Sequence, residues 1–331
     1  MHIRYLQRFL IRWCRELFFI SVFLSLLYIC KKIKQGGQTL DIKPLILVKY
    51  HYHESANMPF CEKVNKRMNL QVFILGAVRP SNVLHFMFTT SGDMPSFEEF
   101  SSSLGASPRT IFPLYSNVFV RHMHSSTKTA DLCHHCSFLE DVPIEKYDIF
   151  IFLNDGVRGP FTRDSPQWLA SVVAHLDERT PLFGIMMSCE REVHVQSWFF
   201  ATHSSFIRDA LSVMKTSCGV RSWDEAVSAE IEISQRALRL GFRISSAQPP
   251  FLAFDSIHES KLRAGDPALS SALLGCKNPL INTSHYDIFT LQFVKYGGEI
   301  LRQHLYPRSI KAKIAEATWK QYGLREPAQC L

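Results

Sequence analysis

The sequence predicts an α/β protein: a doubly wound, mostly parallel sheet flanked by helices, carried on an N-terminal membrane anchor. Three observations lead there. From residue 44 onward, short apolar runs alternate with helical patterns, the spacing of repeated β-α-β units. One run, Tyr147 to Leu153, holds five apolar residues in succession, as a parallel strand buried on both faces requires. A run of fourteen residues free of charge, Leu17–Cys30, stands ahead of all of this.

That run is bordered by Arg4, Arg8, Arg12 and Arg15 before it and by Lys31, Lys32 and Lys34 after it. As a helix, fourteen residues reach roughly 21 Å, short of the ~30 Å hydrocarbon core. Extension through Ile11–Glu16 with snorkelling arginines lengthens it. Three readings fit: a signal-anchor, a cleaved signal peptide, and an Arg-rich transit peptide. No small-x-small cleavage site follows, which favours the anchor. It divides the chain into a basic cytosolic segment (1–16), a transmembrane signal-anchor (17–30), a stem (31–43) and one domain (44–331). Asn282-Thr283-Ser284 is a glycosylation sequon that matters only in a lumen.

The elements of the domain follow in order. Pro44–Tyr50 is β-like. Cys61–Val78 fits a helix ending at Gly76 or a strand at 70–75, and its length favours the helix. Val83–Thr90 is a strand stopped by Ser-Gly-Asp, and Asn117–Val120 a short one. Asp131–Leu139 is helical. After the Tyr147–Leu153 strand, Ser165-Pro166 opens a helix with Ser as N-cap and Pro at its first position, and Asp164 fits a helix-start acid. The buried stripe of that helix is Trp168, Leu169, Val172, Val173 and Leu176. Phe183–Met187 is a strand and His194–Thr202 is extended. Ser204–Met214 and Asp224–Leu240 are helices, the second closed by Gly241.

Composition excludes several classes. The chain has 331 residues, 46% of them hydrophobic, with 25 Phe, which rules out disorder for most of it. A mean hydropathy of -0.02 rules out a polytopic membrane protein. Nine cysteines are too few for a cystine framework. The net charge of +7 raises nucleic acid as a partner, but its placement answers that. Residues 1–34 hold seven basic side chains and one acid, leaving thirty basic and twenty-nine acidic residues for the rest. The excess is a membrane flank, and no nucleic-acid partner is expected.

Ligands of such sheets sit beyond the carboxyl ends of the strands. There the sequence places Asn154-Asp155-Gly156-Val157-Arg158-Gly159-Pro160-Phe161. Asn154 and Asp155 offer hard oxygen ligands suited to Mn²⁺ or Mg²⁺, which grip a diphosphate. Arg158, with Gly159 beside it, offers a planar fork for phosphate oxygens. The plain alternative is a turn, since Asn-Asp-Gly is turn chemistry anywhere.

The segment YDIFIFLNDGVRGPF resembles the motif of a broad eukaryotic glycosyltransferase-like family, distantly like bacterial rhamnan-synthesis protein F, in which a strand leads into Asn-(Ser/Asp)-x-x-Arg-Gly-Pro-(Phe/Leu). Other segments resemble the family's in order: Leu47–Glu54 and Asn69–Phe73 near the start, Asp131-Leu132-Cys133, His194-Val195-Gln196-Ser197, the helix Ala229–Ser234, and Phe293-Val294-Lys295. Together they cover roughly residues 45–300. The resemblance implies a GT-A-like glycosyltransferase in a type II membrane protein of the Golgi or endoplasmic reticulum, with its domain in the lumen. It implies transfer of a sugar from a nucleotide-sugar donor to a glycan or glycoprotein acceptor. The sequence departs from the pattern twice. GT-A enzymes carry Asp-x-Asp where Asn154-Asp155-Gly156 stands, and Thr290-Leu291-Gln292 replaces an acid before Phe293, with Asp287 the only substitute.

On that footing Asp131, Asn154, Asp155, Arg158 and Gly159 bind the donor. Glu230 is the base that deprotonates the acceptor hydroxyl, with Asp155 also catalytic. His194 and Gln196, on one face of an extended strand, meet the acceptor, and Asp155 with His194 would ligate the metal. Two alternatives stay open. One is a non-catalytic glycan-binding or scaffolding relative with the same fold. The other is a metal site in the cluster of His122, His124, Cys133, His134, His135 and Cys136, where Cys-x-x-Cys is a zinc half-site. No second half-site completes that cluster, so a Cys133–Cys136 disulfide or two unpaired thiols is expected.

Overall fold

The structure is a computed structural model that describes residues 46–92, 115–123, 131–137, 139–161, 167–189, 191–247, 254–263, 292–296 and 308–330. The expected cytosolic segment, anchor and stem lie outside the described residues, as do His124, Asp164, Ser165-Pro166, Asn282 and Asp287. Among the described residues no helix is long and apolar enough to cross a membrane.

The elements that build the domain are β1 (Ile46–Glu54), α1 (Phe60–Ala77), β2 (Leu84–Gly92), β3 (Val118–Met123), α2 (Asp131–Cys136), β4 (Ile149–Asn154) and β5 (Val157–Arg158). They continue with α3 (Gln167–Ala174), β6 (Leu182–Gly184), β7 (Met187–Ser188), β8 (His194–Val195), β9 (Phe199–His203), α4 (Ser204–Thr216), α5 (Trp223–Arg239) and β10 (Ile244–Ser246). Last are α6 (Ser256–Arg263), β11 (Val294–Lys295) and α7 (Arg308–Tyr322). Seven strands form one sheet in the order β10-β6-β9-β4-β1-β2-β3. The sheet is mostly parallel, as the sequence predicts; β9 alone runs against its neighbours β4 and β6. Strand order reverses between β1 and β4, so their carboxyl ends frame the crevice where such sheets bind ligands.

Both faces of the sheet are covered. On one, Val48, Tyr50, Tyr52 and Ile151 pack with Phe73 of α1 and with Trp168 and Val172 of α3. On the other, Leu47, Phe150 and Phe152 pack with Leu132 of α2, Phe206 and Met214 of α4, and Ile233 and Leu238 of α5. The continuous apolar run in β4 is the direct consequence: all six of its residues are buried.

The helical pattern over 61–78 resolves as the helix α1, and Gly241 follows α5 with φ +81°, the left-handed closure expected of it. Four expectations are corrected. The helix from Asp131 stops at Cys136, because Lys49 Nζ takes the carbonyls of His134, His135 and Ser137 that would otherwise face the next turn. The strand expected over Phe183–Met187 and the extended run from His194 each break in two, since the chain leaves the sheet to pair β7 with β8. Finally, Cys133 is bridged not to Cys136 but to Cys218, 85 residues on, with Cα atoms 4.7 Å apart. A second bridge joins Cys61 to Cys330, 269 residues away, and Cys189 is disulfide-bonded as well.

Candidate functional site at the carboxyl ends of β1 and β4

Side chains alternate along a strand, and β1 uses the alternation to separate two chemistries. Tyr50 and Tyr52 enter the apolar core. Lys49, His51 and His53 share the opposite face and reach the crevice. His51 Nδ1 lies 3.0 Å from Thr89 Oγ1 and its Nε2 lies 3.2 Å from Ser91 Oγ. His53 Nδ1 lies 2.9 Å from the same Ser91 hydroxyl. The His51 ring stacks on His134 of α2 at 3.9 Å between centroids. Lys49 donates to the carbonyls of His134 at 2.6 Å and His135 at 2.7 Å, a cation at a helix C-terminus.

Burial sets the charge of this group. It lowers Lys49 to about 7, against a small opposing pull from Cys136. It lowers His134 to about 4 and His135 to about 3, with Asp131 opposing in both cases. His51 is driven well below the ordinary histidine range, first by burial and then by the repulsion a charge there would meet from His134, His135, Lys49 and His53. The His51, His134 and His135 imidazoles are therefore neutral near pH 7.

The loop after β4 lies beside them. Asn154 Nδ2 donates to Asp131 Oδ2 at 2.6 Å, while Asn154 Oδ1 accepts from Gly156 N at 3.0 Å. The amide thus locks its own turn and holds the exposed Asp131 carboxylate at the mouth of the crevice. Asp155 turns inward. Its carboxylate accepts from His53 N at 2.6 Å and pairs with Lys66 Nζ at 3.1 Å. Burial pushes the Asp155 carboxyl up, against the pull of Lys66 and the His53 amide and with help from the like charge of Asp131.

A third segment closes the group. Asn154 N donates to Trp198 O at 3.3 Å, and His135 Nε2 donates to Ser197 O at 3.3 Å. The amide of Ser197 in turn donates to Glu230 Oε1. The α5 helix is fixed there by Ser234 Oγ, which accepts from Val195 N at 3.0 Å, and by Gln235, which donates to Val193 O at 3.1 Å. Asp131, Asn154, Asp155, Gln196 and Glu230, distant in sequence, therefore converge. His194 is buried, with Nδ1 donating to Glu192 O at 2.7 Å and Nε2 4.0 Å from Glu230 Oε2. Gln196 spends its carbonyl on Trp198 Nε1 at 2.6 Å. The shared strand face expected of His194 and Gln196 is replaced by a turn, because β8 ends at Val195.

Two expected donor ligands are placed elsewhere. The Arg158 side chain is fully buried, its Nε on Asn69 Oδ1 at 2.7 Å, its Nη2 on Asn65 Oδ1 at 3.2 Å and its Nη1 on Glu326. Tyr296 covers the guanidinium at 4.2 Å. Its fork is committed to protein acceptors. Gly159 has φ +142°, and a Cβ there would strike Gln292 O, so this glycine serves the close approach of the 292–296 segment.

The residues expected to ligate a divalent cation do not fit one. Asp155 is already paired with the Lys66 ammonium at 3.1 Å, and His194 lies toward Glu230 instead. Among the described residues, the one cluster of three candidate ligands is Cys133, Cys136 and Cys218, two of which form a disulfide.

No motif assigns a role to Lys49, His51, His53, Lys66, Thr89 or Ser91, although the first three lie in the family-like segment Leu47–Glu54. The signal was present in Lys49-Tyr50-His51-Tyr52-His53, where polar and aromatic residues alternate inside an otherwise apolar strand.

Neither a protein-family model nor a curated protein matches the chain. Solved structures similar to it include an apo structure of WbbM, a bifunctional glycosyltransferase, at 8% identity and a TM-score of 0.33, with 59% of this chain and 38% of that one covered. An active-site mutant of LgtC is similar at 10% identity and a TM-score of 0.41, covering 85% of this chain and 98% of the other. A cytidylyltransferase from Leptospira borgpetersenii serovar Hardjo-bovis is similar at 13% identity and a TM-score of 0.33, covering 72% and 95%. This chain thus spans well under half of the WbbM chain. All three TM-scores lie under 0.5, and nothing about this chain's chemistry rests on them.

Proposed function

We propose that this protein is a glycosyltransferase of GT-A-like design that moves a sugar from a nucleotide-sugar donor to a glycan or glycoprotein acceptor. The observation that carries the reading is that Asn154 bonds both the Asp131 carboxylate and Trp198 O while Glu230 accepts from the adjacent Ser197 amide, at the carboxyl ends of β1 and β4. Asp131 presents a carboxylate at the crevice mouth, held by Asn154 and suited to accept from ribose or base donors of the nucleotide. Glu230 is oriented by the Ser197 amide, and its side chain keeps 20% exposure. It is the base for the acceptor hydroxyl. Asp155 acts as a brace, fixing His53 and Lys66 beneath the donor, and His194 positions Glu230. No step is assigned to a metal ion.

The Cys61–Cys330 and Cys133–Cys218 bridges and the disulfide-bonded Cys189 favour an oxidising compartment. With the basic flanks of Leu17–Cys30 they support a type II protein of the Golgi or endoplasmic reticulum membrane, its domain in the lumen and a glycan on Asn282. The full chain, purified and offered a panel of nucleotide sugars, should hydrolyse at least one slowly and gain thermal stability with the matching nucleotide. Absence of both effects across the panel overturns the reading.

One observation favours a second reading. Asp155, the carboxylate expected to hold a cation, is instead paired with Lys66, as a glycan-binding or scaffolding relative without catalysis would allow. Such a protein would gain stability with a glycan and with no nucleotide.

A further inference from the structure

Three sulfur atoms meet where α2 packs on the short 3₁₀ turn Ser217–Gly219 that follows α4. Cys133 is bridged to Cys218, and Cys136 is the free thiol among the described residues. Cys136 Sγ stands 3.7 Å from Cys218 Sγ, and the three Sγ atoms all lie within 4.8 Å of one another. The cause is helical geometry. Residues three apart share a helix face, so Cys133 and Cys136 both present their sulfurs to Cys218. A thiol in contact with a bridged sulfur is the starting arrangement for exchange through attack on that sulfur.

We propose that Cys136 exchanges with the Cys133–Cys218 bridge, so that the chain carries two interconverting disulfide isomers. Cys136 gives up its proton, and its sulfur bonds to Cys218 as the Cys133–Cys218 bond breaks. Cys133 leaves as a thiolate and takes up the proton. One disulfide and one thiol stand on each side, so no oxidant or reductant is consumed.

The surroundings set the rate. Burial holds the Cys136 thiol above its ordinary range, Lys49 of β1 and Lys215 of α4 pull it down, and Glu140 of the 3₁₀ turn Leu139–Asp141 pushes it up. Exchange is accordingly slow at neutral pH and faster as pH rises. The consequence reaches the crevice. Cys133 is two residues from Asp131, and Cys136 lies one helical turn further on, among the carbonyls that Lys49 grips. Moving the bridge releases the end of α2 that carries Asp131 and anchors the end that carries the Lys49 contact. The link to donor binding rests on the function proposed above; the exchange does not.

The test uses the full oxidised chain. Samples incubated at increasing pH are quenched in acid, denatured, labelled with N-ethylmaleimide and digested. Cys133 and Cys136 fall on one tryptic peptide, Thr129–Lys146, so fragmentation assigns the label. The expected result is label on both, with the Cys133 fraction growing over time and growing faster at higher pH. Label confined to Cys136 at every time and pH overturns the proposal. In Cys133→Ser the expected product is a Cys136–Cys218 disulfide; both thiols free in a folded variant also overturns it. The wild-type measurement stands even if that variant does not fold. Adding a nucleotide found to bind should shift the isomer ratio, and an unchanged ratio overturns the link to the donor site while leaving the exchange intact.

Discussion

Two buried polar networks leave the same stretch of chain four residues apart, one at Asn154 and one at Arg158, and they differ in whether they are closed. Around Arg158 the guanidinium and Glu326 are 0% and 1% exposed. Asn65, Asn69, Glu326 and Tyr296 surround the guanidinium, and Tyr296 itself donates to Glu326 at 3.1 Å. The Cys61–Cys330 bridge holds the tail that supplies Glu326. Around Asn154 the hydrogen bonds are as dense, yet Asp131 stays exposed and Glu230 keeps part of its carboxylate open. The networks touch through Asn69, which donates to Asp155 O at 2.8 Å and accepts from Arg158. Charge sealed in with all its partners fixes a shape, whereas charge held at a rim has lone pairs left for a ligand.

The largest expected effect lies in the closed network. Arg158→Met should cost about 3–5 kcal/mol in denaturant unfolding, because it leaves the Glu326 carboxylate buried without its partner. Adding Glu326→Gln should recover part of that loss, and no recovery would mean that the buried Glu326 charge does not depend on Arg158. In the open network, Glu230→Gln should slow transfer by roughly 10²–10⁴. The unfolding midpoint should barely move, since the amide oxygen still accepts from Ser197 N. A large fall in stability with unchanged turnover would move Glu230 into the closed class.

The pH dependence sharpens the contrast next. His134 and His135 hold their pKa near 4 and 3 in the fold, and His51 is well below its ordinary value. The unfolded chain protonates these residues near 6.5, so it binds more protons than the fold as pH drops from about 6.5 to 4. Stability should therefore fall across that window, by about 1.4 kcal/mol per pH unit for each histidine that stays neutral. His134→Gln should make the slope shallower. Lys49 acts in the same direction in a higher window. The fold releases its proton near 7 and the unfolded chain near 10.5, so stability should rise between those values. The smallest effect is expected from Asp131→Asn: stability within about 0.5 kcal/mol, as for an exposed substitution. Nucleotide affinity should fall about tenfold, as loss of a charged acceptor implies.

Local order was largely legible in the residues. The alternating runs, the apolar strand at 149–153, the helix from Phe60 and the glycine after α5 all stand as the periodicity indicates. The structure brings Asp131, Asn154, Asp155 and Glu230 together. Asn154 and Asp155 stand out in the sequence by their place after a strand, Asp131 and Glu230 by the family resemblance. Arg158 was misjudged because a fork suited to phosphate oxygens is equally suited to Glu326 and two asparagines. The histidines of β1 lie in the family-like segment Leu47–Glu54, which by itself assigns them no role, although their alternation with Tyr50 and Tyr52 marks the face.

The sequence by itself determined where strands and helices fall and which residues share a face, because backbone geometry repeats every two residues in a strand and about every 3.6 in a helix. The tertiary structure alone decided the partners. Cys133 and Cys218 are 85 residues apart, Cys61 and Cys330 are 269 apart, and Arg158 meets Glu326 across the length of the domain. Nothing in local periodicity encodes such pairs. They are set by which strand ends and helix faces the sheet brings together, and that same assembly turned Asn154 toward the crevice and Arg158 into the core.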